Sequence, residues 1–333
     1  MGKLLTFGEI LIRFTPKNYD VFENSNELEY FFGGSEANIA ATLSSLGVKT
    51  SLLSALPDND MSKKAYRYFK STGVEMNNII IKGDKLGYYF VERSTGLRQS
   101  NVIYDRKHSS FSMLSLEDID MNTIFHEVEW FHFSGITAAV SESVREVLKA
   151  LVKEAKRRGI FISMDLNYRS KMWSTAEAKS FMSELAPYVD LCFGIEPIMA
   201  HEEDVNMFNR TEATKENIKH RMESLKNKYG FKYIFHTERI NDFEDNNTYY
   251  AYGLGDSFEE SLKITTKMVE RVGSGDAFVS GVIYSIMNNS TLKESLDRGV
   301  AAATLKCTIK GDHMIASLEE IDNIIYSKNS INR

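Results

Sequence analysis

The residues best suited to chemistry lie late in the chain. Val272-Gly273-Ser274-Gly275-Asp276-Ala277-Phe278 ends a strand-like stretch and opens a helix bearing Phe278, Val282, Ile283 and Ile286. Two glycines let the backbone turn tightly and bring N–H groups close to a ligand. At a helix N-terminus those groups, with the helix dipole, favour an anion. Asp276 falls in the first turn, where a carboxylate can accept the proton of a hydroxyl attacking a phosphate held by the same turn. A glycine turn followed by an Asp that only caps its helix has the same sequence, and the segment alone leaves both readings open.

A second glycine turn feeds a helix at Gly33-Gly34-Ser35-Glu36-Ala37-Asn38. The Asn38 amide both donates and accepts, which suits a polyol, although a plain capped helix start fits equally. In a third segment, Met164-Asp165-Leu166-Asn167-Tyr168-Arg169-Ser170-Lys171-Met172-Trp173, polar residues follow an apolar strand directly. Ligands of open α/β sheets bind beyond such strand ends, and Arg169 can hold a carboxylate bidentately. The bland alternative is a surface loop with an ion pair. Tyr89, Tyr104 and Arg106 form a fourth group, with phenols and a guanidinium suited to an acidic, hydroxylated small molecule. Tyrosines in strands commonly only pack.

Other chemistries lack their residues. There is no G-x-x-x-x-G-K-[ST], Phe278 stands where a dinucleotide fingerprint needs its third glycine, and His126-Glu127 is followed by Trp130 where a zincin needs His. No C-x-x-C occurs, and Cys192 and Cys307 read as buried reduced thiols of a cytoplasmic protein.

The elements that must position these groups follow from apolar periodicity. Strands are expected at Leu4–Phe7, Thr50–Leu56, Asn78–Lys82, Trp130–Phe133, Ile160–Met164, Val189–Phe193 and Tyr233–His236. Helices are expected at Ser35–Leu46, Asn59–Thr72, Ser143–Arg158 (with Ser143 and Glu146 as a capping box), Thr175–Leu185 and Thr214–Lys228, with two or three more after Asp276. Such alternation predicts an α/β fold, a mostly parallel sheet with helices on both faces. Leu11–Phe32 and Leu86–Asp105 are strand-like and aromatic without helices, and read as a small antiparallel sheet able to cover a ligand. The division is a core of residues 1–12, 33–84 and 112–330 and a lid of residues 13–32 and 85–111.

The chain has 333 residues, 40 Lys and Arg against 46 Asp and Glu, and a net charge of −6. That argues against nucleic acid as a partner. No apolar run reaches the roughly 20 residues of a membrane span, and Glu9 and Arg13 interrupt any signal-peptide core. An anionic ligand would have to be drawn by a few local cations or a helix N-terminus.

Together and in this order, the four segments resemble the ribokinase-like carbohydrate kinases, from about Leu4 to Ile321. The early Gly33-Gly34 helix start and the late Gly273-Ser274-Gly275-Asp276 match that family's two signatures. Within it the likeness is greatest to 2-keto-3-deoxygluconate kinases, carried by Asp165-Leu166-Asn167-Tyr168-Arg169 with Trp173, by Tyr104 with Arg106, and by the segment Ala303 to Asp312.

The resemblance implies a three-layer α/β/α core, ATP and Mg2+, and phosphorylation of the 6-hydroxyl of 2-keto-3-deoxygluconate. It implies Asp276 as the base and the N–H groups of Gly273, Ser274 and Gly275 as an anion hole. Gly33, Gly34 and Asn38 would contact the sugar chain. Tyr89, Tyr104, Arg106, Asn167 and Arg169 would bind the open-chain keto acid. Thr237 would join Gly273 and Gly275 on the nucleotide side, with Ala303, Lys306 and Gly311 near adenine. Homo-oligomers through the lid are expected, as in relatives.

Three features depart from the family pattern. Glu270 stands for the usual Asp. Glu238-Arg239-Ile240-Asn241 replaces glycines after the strand ending at Thr237. The magnesium-organising N-x-x-E motif is not intact, which leaves Glu203 and Asp204 as metal candidates. A fructokinase and a non-catalytic sugar-acid sensor are the alternatives.

Overall fold

Residues 2–209, 213–242 and 246–326 are described by the computed structural model; Met1 and residues 327–330 of the expected core lie outside the described residues. The chain opens with β1 (Lys3–Phe7), β2 (Leu11–Pro16) and β3 (Leu28–Gly33), then α1 (Ser35–Ser45), β4 (Thr50–Leu56), α2 (Asp60–Ser71) and β5 (Ile79–Ile81). A hairpin of β6 (Gly87–Glu92) and β7 (Asn101–Asp105) precedes α3 (Met121–Ile124), β8 (Val128–Ser134), α4 (Gly135–Ala138) and α5 (Glu142–Arg157). Next come β9 (Phe161–Asp165), α6 (Thr175–Leu185), β10 (Leu191–Phe193), α7 (Lys215–Tyr229) and β11 (Tyr233–Asn241). The C-terminal part comprises β12 (Asn246–Leu254), β13 (Phe258–Glu260), β14 (Ile264–Lys267), α8 (Ser274–Met287), α9 (Leu292–Lys306) and α10 (Leu318–Tyr326).

The main sheet has ten strands in the order β13-β12-β11-β10-β9-β8-β1-β4-β5, with β14 also paired to β12. From β11 to β5 every pairing is parallel. Successive strand residues point to opposite faces, so each central strand feeds two cores. Leu5, Phe131, Cys192 and Ile234 meet Val147, Leu151 and Met222 from α5 and α7. Their neighbours Leu4, Trp130, Leu191 and Phe235 meet Ile39, Phe278 and Val282 from α1 and α8. Both cysteines are buried and unpaired. Among the described residues no helix is long and apolar enough to cross a membrane.

Two local expectations change. The cap of α5 is Ser141, which accepts the Val144 N–H, while Ser143 Oγ donates to the Leu114 carbonyl 2.5 Å away. The polar-looking stretch after Thr237 extends β11 and returns as β12, in antiparallel register from Ile234–Leu254 to Asn241–Asn247.

The second sheet runs β3-β2-β6-β7. Its outer pairs are antiparallel, as expected, but the central pair, β2 with β6, is parallel. One row across it reads Phe31, Arg13, Tyr89, Tyr104, because each is the register partner of the next. Arg13 stacks on Phe31 at 4.6 Å, and the two tyrosine rings lie 6.2 Å apart. This row decides what the lid presents to the core.

Candidate active site

Two helix N-termini converge between the sheets. Gly34 precedes α1 at φ 130°, and a Cβ there would lie 2.0 Å from the Glu9 carbonyl. Gly273 precedes α8 at φ 81°, where a Cβ would lie 1.7 Å from the Asp312 carbonyl. Both positions need glycine for its positive φ and for space. Buried Glu36 fixes α1 to the end of β8, accepting from Ser134 N (3.0 Å), Ser134 Oγ (2.5 Å) and Thr137 Oγ1 (2.7 Å).

The convergence brings α1 onto the Asp276 carboxylate. Ser35 Oγ donates to Oδ1 at 2.8 Å and Asn38 Nδ2 to Oδ2 at 2.7 Å. Asn167 Nδ2, from the loop after β9, donates to Ser35 Oγ at 3.0 Å. Both carboxylate oxygens are thus oriented by neutral donors, with no cation in hydrogen-bond contact among the described residues. Burial pushes Asp276 up to about 6, against the hydrogen bonds from Asn38 and Ser35. Asp165, the last residue of β9, rises to about 7 through burial and then through the charge of Asp276.

These groups open on a cavity of about 580 Å³. Its wall includes Gly34, Asn38, Tyr89, Tyr104, Asn167, Arg169, Thr237 and the whole turn from Gly273 to Asp276. Asn38 lines the cavity as its type suggested and also gives one amide N–H to Asp276. Sequence reasoning assigned no role to Asp165, Ser35, Arg239 or Arg271, all of which also line the cavity. For Asp165 the available signal was a carboxylate ending an apolar strand at the ligand-binding edge of the sheet.

The lid is joined to the segment before the Gly273–Gly275 turn by buried charge. Arg13 is fully buried; Nη1 lies 2.9 Å from Glu270 Oε2 and Nε 2.8 Å from Asp312 Oδ1. Tyr89 Oη donates to Asp312 Oδ2 at 2.6 Å. Arg93 Nη1 adds a second cation 3.8 Å from Glu270. The longer Glu270 side chain therefore bridges to two lid arginines.

Several expected residues lie elsewhere. Arg106 is buried with Nε on Glu9 Oε2 at 2.6 Å and is absent from the cavity wall, because the acid beside β1 already claims it. Gly33 is also off the wall and packs against Asp312. Ala303 is fully buried in the core shared with Phe278 and Val282, since α9 uses its small residues to approach α8. Lys306 is buried and turns its ammonium onto the Ile309 carbonyl at 2.8 Å. Gly311, at φ 101°, faces Phe31. None of these three lines the cavity.

The metal candidates do not fit a metal. Asp204 Oδ1 lies 2.9 Å from Lys179, and its Oδ2 accepts from Arg221 and from Ala200 N. Glu196 completes the cluster, 3.0 Å from Lys179 and 2.7 Å from Arg221. Two acids thus face two cations. Glu203 is mostly exposed beside His201. Among the described residues no group of three or more His, Cys, Asp or Glu is arranged to hold a metal ion.

Known proteins agree with this architecture. The model of the pfkB family carbohydrate kinases matches residues 1–317. The 2-dehydro-3-deoxygluconokinase of Thermotoga maritima superposes with a TM-score of 0.91 at 31% identity, over 97% of this chain and 98% of that one. The 2-dehydro-3-deoxygalactonokinase of Haloferax volcanii is 29% identical over 97% of this chain and 96% of its own length. An E. coli protein designated a ribokinase II, 20% identical with a TM-score of 0.77 over 98% of this chain and 99% of that one, shares the fold and was solved with ATP and Mg2+. The fold, the paired glycine turns and the matched length together make this chain a member of the pfkB family of carbohydrate kinases.

Proposed function

We propose that the chain transfers the γ-phosphoryl group of MgATP to the 6-hydroxyl of 2-keto-3-deoxygluconate. One observation carries the reading. Asp276, held by neutral donors at the mouth of the Gly273–Gly275 turn, shares a cavity with Arg169, a guanidinium that meets no acid among the described residues. A base, an anion-binding turn and a carboxylate receptor are what phosphorylation of a sugar acid requires.

The acceptor oxygen attacks the γ-phosphorus in line, and the bond from that phosphorus to the bridging oxygen of ADP breaks. The hydroxyl proton passes to the Asp276 carboxylate. Charge on the phosphoryl oxygens is met by the N–H groups of Gly273, Ser274 and Gly275 and by the dipole of α8. Arg169 pairs with the substrate carboxylate. Tyr89 and Tyr104 on the lid, with Gly34 and Asn167, line the sugar chain, and Thr237 lies on the nucleotide side. Closure of the lid excludes water, the competing acceptor. Mg2+ enters as part of MgATP; such ions keep phosphate and water oxygens as ligands and need no all-protein cage.

A second reading, the C4 epimer 2-keto-3-deoxygalactonate, is favoured by the Haloferax volcanii relative. Initial rates of ADP release with both keto acids and with fructose test the reading. A keto acid should exceed fructose in kcat/KM by at least about tenfold, the worth of one charge-assisted contact. Equal rates on fructose would point to a fructokinase, and saturable acid binding without ADP release to a sensor.

A further inference from the structure

Arg169 is not the only cavity arginine without an acid. Arg239 and Arg271 also line the wall, and neither forms an ion pair among the described residues. Arg239, on β11, is held in place. Its guanidinium lies 4.8 Å from the ring centroid of Tyr249, and Nη2 donates to the phenol oxygen at 3.3 Å. Tyr249 is itself fully buried. The same Nη2 lies 3.9 Å from where a Cβ on Gly275 would stand, which sets it directly beside the anion-binding turn. Arg271 stands two residues before Gly273. Its loop is tethered by the N–H groups of Val269 and Glu270, which donate to the Cys307 carbonyl at 2.8 and 3.0 Å.

Two guanidiniums brought to one wall repel unless an anion lies between them. Arg271 registers this, since burial and then the charge of Arg239 hold it below its ordinary value. No acid among the described residues pairs with either arginine: Glu270 is engaged by Arg13 and Arg93, Asp276 by Ser35 and Asn38, and Asp165, whose charge favours the Arg239 cation, acts on it without an ion pair. Planar guanidinium forks match phosphate oxygens in geometry as well as charge.

We propose that Arg239 and Arg271 clamp the β- and γ-phosphates of the bound nucleotide beside the Gly273–Gly275 turn. They would supplement its amides with two positive charges whose attraction strengthens as charge moves onto the leaving ADP. The proposal rests on the phosphotransfer reading above but concerns the nucleotide alone, so nucleotide binding tests it separately.

Titration calorimetry of MgATP, MgADP and AMP into the wild type, Arg239→Gln and Arg271→Gln is the experiment, paired with steady-state kinetics. Each variant should weaken MgATP by about tenfold or more and leave AMP, which lacks the outer phosphates, within about twofold. The Lys variants should recover part of the loss. Unchanged MgATP affinity and kcat in both variants overturns the clamp while leaving the kinase reading intact. A rise confined to the acceptor KM also overturns it, and assigns the pair to an anionic group on the acceptor. If the wild type binds MgATP through these arginines yet phosphorylates no keto acid, the clamp stands and the acceptor assignment fails. The Arg271 side chain makes no hydrogen bond, ion pair or ring contact among the described residues, so its variant keeps the test valid should Arg239→Gln, stripped of its stacking on Tyr249, fail to fold.

Discussion

Two clusters of charge in this molecule hold their acids with different partners. Around Glu196 and Asp204, two acids meet Lys179 and Arg221 at close range. Burial opposes ionisation there: it leaves Glu196 raised against the pull of Arg221 and Lys179, while the Ala200 amide, Lys179 and Arg221 hold Asp204 below the usual carboxylate range. Around Asp276 and Asp165, two acids meet only neutral donors, and burial pushes them up to about 6 and about 7. The first cluster is closed: its charges cancel internally and it has nothing to offer a ligand. The second is unbalanced, with protons poised near neutral pH and arginines on the same wall that lack acids. An unbalanced cluster facing a cavity is a mark of chemistry, whereas a balanced buried one is a mark of structure.

The largest way to break the contrast is Asp276→Asn. It keeps the shape and one accepting oxygen for Ser35 or Asn38 but removes the proton acceptor. Turnover should fall by roughly 10²–10⁴-fold, the usual worth of a general base, with the acceptor KM changed little. Stopped-time ADP release, with calorimetry of the acceptor, measures both; full activity in the variant would end the assignment of Asp276 as base. In the balanced cluster, Arg221→Ala should do the reverse. Leaving Glu196 and Asp204 short of one cation should cost about 3–5 kcal/mol of stability, read by urea unfolding, while kcat measured well below the transition stays at the wild-type value.

That division was only partly legible in the sequence. The Gly273–Asp276 turn, the Gly33–Asn38 helix start and the lid tyrosines could be read because each carries a local rule: glycine at a turn, acid in a first helical turn, aromatics in a strand pair. What could not be read was pairing across the chain. Asp204 resembled a metal ligand because nothing local shows that Lys179 and Arg221 reach it. Nothing local shows that Glu9 lies beside Arg106. Ala303 looked like the floor of a nucleotide site, but small residues on α9 serve helix packing. Asn38 and Ser35 act through Asp276, 238 and 241 residues away, a contact that no spacing rule encodes. The β12 return was missed because alternating Tyr249, Tyr250, Ala251 and Tyr252 followed a charged stretch that read as loop.

A smaller effect is expected at Arg169. Among the described residues its guanidinium bonds only the adjacent Tyr168 carbonyl, at 3.2 Å, which leaves most of its donors for a ligand. Arg169→Ala should raise the KM for a keto acid by roughly 10–100-fold, in line with a lost hydrogen bond to a charged group. For a neutral hexose the change should be less than about threefold. Equal changes for both would remove carboxylate pairing and bring Arg169 closer in role to the balanced cluster.

The finest test shifts the protonation of the unbalanced pair. Asp276 must be ionised to accept a proton, so kcat/KM should fall as pH drops through about 6. The charge of Asp276 raises Asp165, and since repulsion between two charges is mutual, an ionised Asp165 disfavours ionisation of Asp276. Replacing Asp165 by Asn removes that repulsion, so the acidic limb should move to lower pH. Arg169→Gln removes a cation that favours the ionised form, so the limb should move to higher pH. Two coupled carboxylates titrate as a pair, and each shift should therefore be less than about one unit. Both variants moving the limb in the same direction would show that the limb belongs to some other group and that the Asp276–Asp165 pair does not set it.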